Sequence, residues 1–132
     1  MNDITEIAKK MASVSVLYVE DDMDIRQNVY DLLDNLFAKV TSAKDGMEGL
    51  EKYKEGSYDL LITDIKMPKM NGITLIEEIQ KINKDQHIII TTAHDEAEYQ
   101  ERFKELNVKS ILHKPITFEE LTKTLSDFAK IL

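Results

Sequence analysis

Five short apolar runs, each followed by a stretch whose apolar residues fall three and four apart, leave this chain few ways to fold. The runs are "VSVLYV" (14–19), "KVTSA" (39–43), "YDLLIT" (58–63), "HIIITT" (87–92) and "SILH" (110–113). Four are nearly unbroken in apolar character, which suits parallel strands covered on both faces. "KVTSA" is more polar and is expected at a sheet edge. Between the runs the period changes to that of amphipathic helices. Ile25, Val29, Leu32, Leu33 and Leu36 form one stripe; Met47, Leu50 and Tyr53 a second; Leu75, Ile76, Ile79 and Ile82 a third. Tyr99, Phe103 and Leu106 form a fourth, and Leu121, Leu125, Phe128 and Leu132 a fifth. The last opens with Thr117 and Glu120 at capping-box spacing. Strand–helix alternation on this scale predicts a three-layer α/β domain, a doubly wound five-stranded parallel sheet.

At 132 residues the chain is one domain in size. Residues 14–132 carry the alternation. Residues 1–13 stand outside it as an N-terminal extension, where Ile4, Ile7, Ala8 and Met11 share a helical face. They read either as a short extra helix or as a frayed tail. Cysteine is absent, so neither a disulfide framework nor a thiolate metal site is available. The start, "MNDITEIAKK", lacks the apolar centre of a signal peptide, and no run approaches the ~20 apolar residues of a membrane span. A soluble, cytoplasmic chain is expected. Its 25 acids against 17 bases argue against direct binding to nucleic acid, which needs a basic face.

In open parallel sheets functional groups collect at the carboxyl ends of the strands. The first strand ends in Glu20, Asp21 and Asp22, the third in Asp64, the fourth in Thr91 and Thr92 followed by Ala93 and His94. The fifth ends in His113, Lys114 and Pro115. Carboxylates about 4 Å apart repel by about 4 kcal/mol at an effective dielectric near 20. A divalent cation would make such a cluster tenable, and an all-oxygen donor set suits Mg²⁺. That combination serves phosphoryl transfer, with an Asp oxygen as nucleophile and Lys and Thr receiving the phosphoryl oxygens. Taken one at a time these residues have plainer roles, as solvated loop acids, strand-favouring Thr or a helix cap such as Asp22. Their joint occurrence at successive strand ends favours the chemical reading.

"LYVEDDMDIR", "LLITDIKMPKMNG", "IIITTAH" and "ILHKPIT", in that order, resemble the receiver domain of bacterial two-component response regulators, over roughly residues 12 to 132. The resemblance implies the flavodoxin-like strand order 2-1-3-4-5. It implies Asp64 as phosphoacceptor, charged by a sensor histidine kinase or a phosphotransfer protein. It further implies Glu20, Asp21, Asp64 and the Lys66 backbone carbonyl around Mg²⁺, with Mn²⁺ as a substitute. Thr92 resembles the switch hydroxyl. Lys114 resembles the salt-bridging lysine, joined to Pro115 by a cis bond. Many members carry Tyr or Phe where this chain has Ile111, so aromatic coupling to the switch is not expected. The helix between the fourth and fifth strands and its leading loop should then carry more of the response. Lys66 and His94 stand two residues beyond Asp64 and Thr92, where they would modulate the phosphoryl lifetime.

The output would pass to a partner or attached domain through that helix, the fifth strand and the last helix. Glu96, Glu101, Arg102, Lys104 and Glu105 supply mixed charges there. A monomer or a phosphorylation-dependent dimer is expected, either stand-alone or excised from a longer regulator. Two other readings compete. A haloacid-dehalogenase-type phosphatase would need an acid two residues after its nucleophile, where this chain has Lys66. A receiver-like module that is never phosphorylated would have lost an acid or the lysine, and none is lost.

Overall fold

The computed structural model describes residues 4–93 and 99–131; the side chains of Ile4, Thr5 and Ile7 also lie outside the description. Expectations for His94, Glu96 and Leu132 therefore fall outside the described residues. In chain order the elements are α1 (Ile4–Met11), β1 (Ser15–Val19), α2 (Met23–Leu36), β2 (Lys39–Ala43), α3 (Gly46–Glu55) and β3 (Leu60–Asp64). They continue as α4 (Gly72–Ile82), β4 (His87–Thr92), α5 (Gln100–Glu105), β5 (Ser110–His113) and α6 (Phe118–Lys130). All the strand pairs are parallel and the sheet order is β2-β1-β3-β4-β5. β3 starts two residues later than its apolar run suggests and takes in Asp64 as its last residue.

The sheet is buried on both faces, as continuous apolar strands require. Val16, Tyr18, Leu60, Ile62, Ile89 and Leu112 face α1, α2 and α6 through Met11, Leu33, Leu121, Leu125 and Phe128. Leu17, Val19, Leu61, Ile88 and Ile90 face α3, α4 and α5 through Tyr53, Ile76, Ile79 and Phe103. Each fully buried Leu or Ile contributes about 1.5–3 kcal/mol relative to exposure. β2 lies at one edge, with Lys39 exposed and Thr41 and Ser42 half-buried, in keeping with its polarity.

Helix starts follow from side-chain caps, each stabilising by about 1 kcal/mol. Asp22, Asp45, Asn71 and Thr117 accept from the amides of Ile25, Glu48, Thr74 and Glu120. Two stripe residues point elsewhere than their spacing suggests. Met47 is exposed because α3 turns Gly46, Gly49 and Tyr53 inward. A Cβ on Gly49 would already stand 3.0 Å from Val19 Cγ2, so no bulky side chain fits on that face. Ile82, the last residue of α4, is also exposed. The extension before β1 is helical, and Met11 joins the α2–α6 core.

Candidate functional site

β1, β3, β4 and β5 deliver their last residues to one end of the sheet. Side chains alternate along a strand. Glu20 continues the series Val16–Tyr18, Asp64 the series Leu60–Ile62, and Thr91 follows Ile89, all on the α2–α6 face. Lys114 follows Leu112 in the same way, and β5 continues its ladder beyond the strand, the Lys114 amide donating to the Thr92 carbonyl at 2.7 Å. Thr92 and Ile111 alternate toward the α3–α5 face, with Ile90.

The acidic side chains converge. Glu20, Asp21 and Asp64 each bring a carboxylate oxygen within 4.8 Å of the others. Glu20 is fully buried and Asp64 only 7% exposed, whereas Asp21 is open to solvent. Lys114 crosses from β5, over β4, and places its Nζ 2.5 Å from Glu20 Oε1 and 2.9 Å from Asp64 Oδ2. The other Asp64 oxygen accepts from the Ile65 amide at 2.8 Å, and Glu20 Oε2 accepts from the Asp22 amide at 3.1 Å. Arg26, which the strand-end inventory leaves out, steadies the acidic loop by donating to the Glu20 carbonyl at 2.8 Å. Three carboxylates against one ammonium leave two formal negative charges, and the donors are all oxygens. Both features fit a hard divalent cation.

Burial pushes the Glu20 carboxyl up to about 7, with Asp64 adding to the rise and hydrogen bonds from Lys114 and the Asp22 amide opposing it. Burial alone would lower the Lys114 ammonium, but its hydrogen bonds to Asp64 and Glu20 prevail and hold it above the ordinary lysine value. Glu20 therefore binds a proton more tightly folded than unfolded. Its contribution to stability is complete below the ordinary carboxylate value of 4.5 and is lost as pH rises toward about 7. In the metal-free protein, the urea midpoint of wild type relative to Glu20→Gln should fall between about pH 5 and pH 8. A constant difference between the two would contradict this.

The loop after Asp64 is held tightly. The Gly72 amide donates to the Ile65 carbonyl at 2.7 Å, and a Cβ on Gly72 would stand 2.0 Å from the Asp64 carbonyl oxygen. A Cβ on Gly46 would stand 2.2 Å from the Met70 carbonyl oxygen. Between them Lys69 adopts φ 69°, and the Met70 amide donates to the Pro68 carbonyl at 2.7 Å, a strained turn of three residues. Lys69 Nζ lies 3.8 Å from Asp45 Oδ2, which ties the turn to the cap of α3. Lys66 is an exposed residue of this loop. The Lys114–Pro115 peptide is cis.

The model of the response regulator receiver domain matches residues 16–126. The chain belongs to this family. As a receiver domain of two-component systems it is 34% identical to the chemotaxis protein CheY of Bacillus subtilis, covering 84% of this chain and 97% of that protein. It is 32% identical to the transcriptional regulatory protein CiaR of Streptococcus pneumoniae, covering 89% of this chain and 52% of that one. The receiver domain thus spans about half the length of CiaR and nearly all of CheY. Among solved structures it is similar to the response regulator TrrA of Thermotoga maritima in complex with Mg²⁺ and BeF. There the TM-score is 0.74 and the identity 31%, over 90% of this chain and 99% of that one.

Sequence reasoning named Asp64, Glu20, Asp21 and Lys114, and the fold brings these four together. The strand-end inventory gave Thr91 and Thr92 together and the family resemblance singled out Thr92; the two face opposite sides of the sheet. Counting in twos from Ile89 would have separated them.

Proposed function

We propose that Asp64 accepts a phosphoryl group from a sensor histidine kinase or phosphotransfer protein. The observation that carries this reading is the buried Asp64 carboxylate. It is paired with Lys114 and stands among the Glu20 and Asp21 oxygens. An Asp64 oxygen forms the new O–P bond as the donor's N–P bond breaks, and the histidine ring leaves with the electron pair of that bond. Burial keeps water from competing with the carboxylate, and the Ile65 amide orients it. Lys114 offsets negative charge as it builds on the transferring oxygens. Thr92, the last residue of β4, would meet a phosphoryl group that projects beyond the strand ends with its hydroxyl, from the α3–α5 side. Glu20, Asp21, Asp64 and the Lys66 carbonyl would hold Mg²⁺, or Mn²⁺ in its place, which would screen the phosphoryl charge. The comparison structure that holds Mg²⁺ and BeF supports this choice of ion.

The signal leaves through α5, β5 and α6. Ile111 supplies no aromatic relay, so the α5 segment carries the change. Arg102 of α5 pairs with Glu77 of α4, and Gln80 donates to the Leu106 carbonyl at 2.5 Å, so α5 moves against α4. Among the described residues no helix is long and apolar enough to cross a membrane. The reading places the chain in the cytoplasm, where such kinases display their phosphohistidine. A phosphatase of the haloacid-dehalogenase type lacks its required acid, since Lys66 stands in that place.

Incubation with acetyl phosphate and Mg²⁺ tests the proposal. Wild type should gain one phosphoryl group by intact mass, and Asp64→Asn or wild type in excess EDTA should gain none. Equal labelling of Asp64→Asn would exclude Asp64 as the acceptor.

A further inference from the structure

Thr91 is fully buried, and its hydroxyl has no hydrogen-bond partner among the described residues. A valine would fill the same space without leaving a buried hydroxyl unsatisfied, which is a destabilising feature. The residue lies where the fold has a use for that hydroxyl. Thr91 is the register partner of Asp64 on one side and of Leu112 on the other. All three face the same layer, and Lys114 stands two residues beyond Leu112. To reach Asp64 on β3 and Glu20 on β1, the Lys114 side chain must pass over β4, and Thr91 is the last β4 residue that faces that layer. An ammonium has three protons to donate; Lys114 gives one to Asp64 Oδ2 and stands 2.5 Å from Glu20 Oε1 as an ion pair.

We infer that Thr91 is a positioning residue for Lys114, engaged when Asp64 becomes an acyl phosphate. Anhydride formation takes the charge from the Asp64 carboxylate, so Lys114 must turn toward the phosphoryl oxygens. The Thr91 oxygen then accepts an ammonium proton and holds the chain at that angle, while its own proton is free for an anionic oxygen. In the resting protein the Glu20–Lys114–Asp64 bonds leave the hydroxyl idle. The inference rests on the phosphoacceptor reading.

The test compares wild type, Thr91→Val and Thr91→Ser for the rate of phosphorylation by acetyl phosphate with Mg²⁺, followed by intact mass. Loss of one charge-assisted hydrogen bond in the transfer step predicts a maximal rate about tenfold lower in Thr91→Val, with an unchanged half-saturating acetyl phosphate concentration. Thr91→Ser should restore the wild-type rate. Metal-free Thr91→Val should melt at or above the wild-type temperature, which a structural role for the hydroxyl would not give. A wild-type rate in Thr91→Val, an equally slow Thr91→Ser, or a lower melting temperature in Thr91→Val would each overturn the inference while the acceptor role of Asp64 stands. A wild type that gains no phosphoryl group would overturn both.

Discussion

Lys114→Met should cost the metal-free protein about 3 kcal/mol at pH 8, the lower end of what breaking a buried ion pair costs. Lys114 is the cation that the described ion pairs place on both Glu20 and Asp64. Methionine keeps the length of the side chain and removes its charge, leaving two carboxylates facing each other with little water. The loss should shrink near pH 6, because Glu20 already takes up a proton at about 7 and does so more readily beside an uncompensated Asp64. Mg²⁺ should restore part of the stability, since it binds the folded site and not the unfolded chain. Chemical denaturation at both pH values, with and without the ion, reads all of this. In the phosphorylated protein, amide shifts in α5, β5 and α6 should stay at their resting positions, since no ammonium remains to follow the phosphoryl oxygens. A variant as stable as wild type at pH 8 would mean that solvent, not Lys114, compensates the carboxylates.

The second large effect belongs to a glycine with no chemistry of its own. In Gly72→Ala the new methyl group would stand 2.0 Å from the Asp64 carbonyl oxygen and 3.0 Å from Ile65 Cα. Both neighbours are backbone, so the strain is relieved only by moving the acceptor or unseating the first turn of α4. A cost of about 3 kcal/mol is expected, at the upper end for over-packing. Displacement of Asp64 by about 1 Å should also slow phosphorylation by about a hundredfold. Gly56→Ala is the control, because a Cβ there meets only the Tyr58 side chain, at 3.0 Å, and a ring can swing aside. Near-equal phosphorylation rates for the two alanine variants would show that the loop after Asp64 is softer than its contacts suggest.

Much of this architecture could be read from the residues. Continuous apolar strands state that both faces are covered, and Asp64 at the end of the third run states where chemistry would collect. Spacing alone could not tell Met47 from Gly49 as the inward residue of α3, since that depends on how closely the helix approaches Val19. Nor could it show that Lys114 engages Glu20 as well as Asp64, because the bridge runs across four adjacent strands, from β5 to β1, and follows from the sheet order. Thr91 and Thr92 are chemically alike and adjacent, and only register separates the one beside Asp64 from the one on the opposite face. The contacts of Gly46 and Gly72 are equally hidden, since both involve backbone brought close by the fold.

The claim on which the account depends is that the Asp64 side chain itself becomes an anhydride of phosphoric acid. Borohydride reduces an acyl phosphate to the alcohol and leaves a free carboxylate untouched, so treating the phosphorylated protein should convert residue 64 to homoserine. Peptide mass spectrometry reads the position directly. Homoserine at position 64, appearing only after incubation with acetyl phosphate and Mg²⁺, is the predicted result. Homoserine at position 21, or none at all in protein that carries a phosphoryl group, would contradict the account.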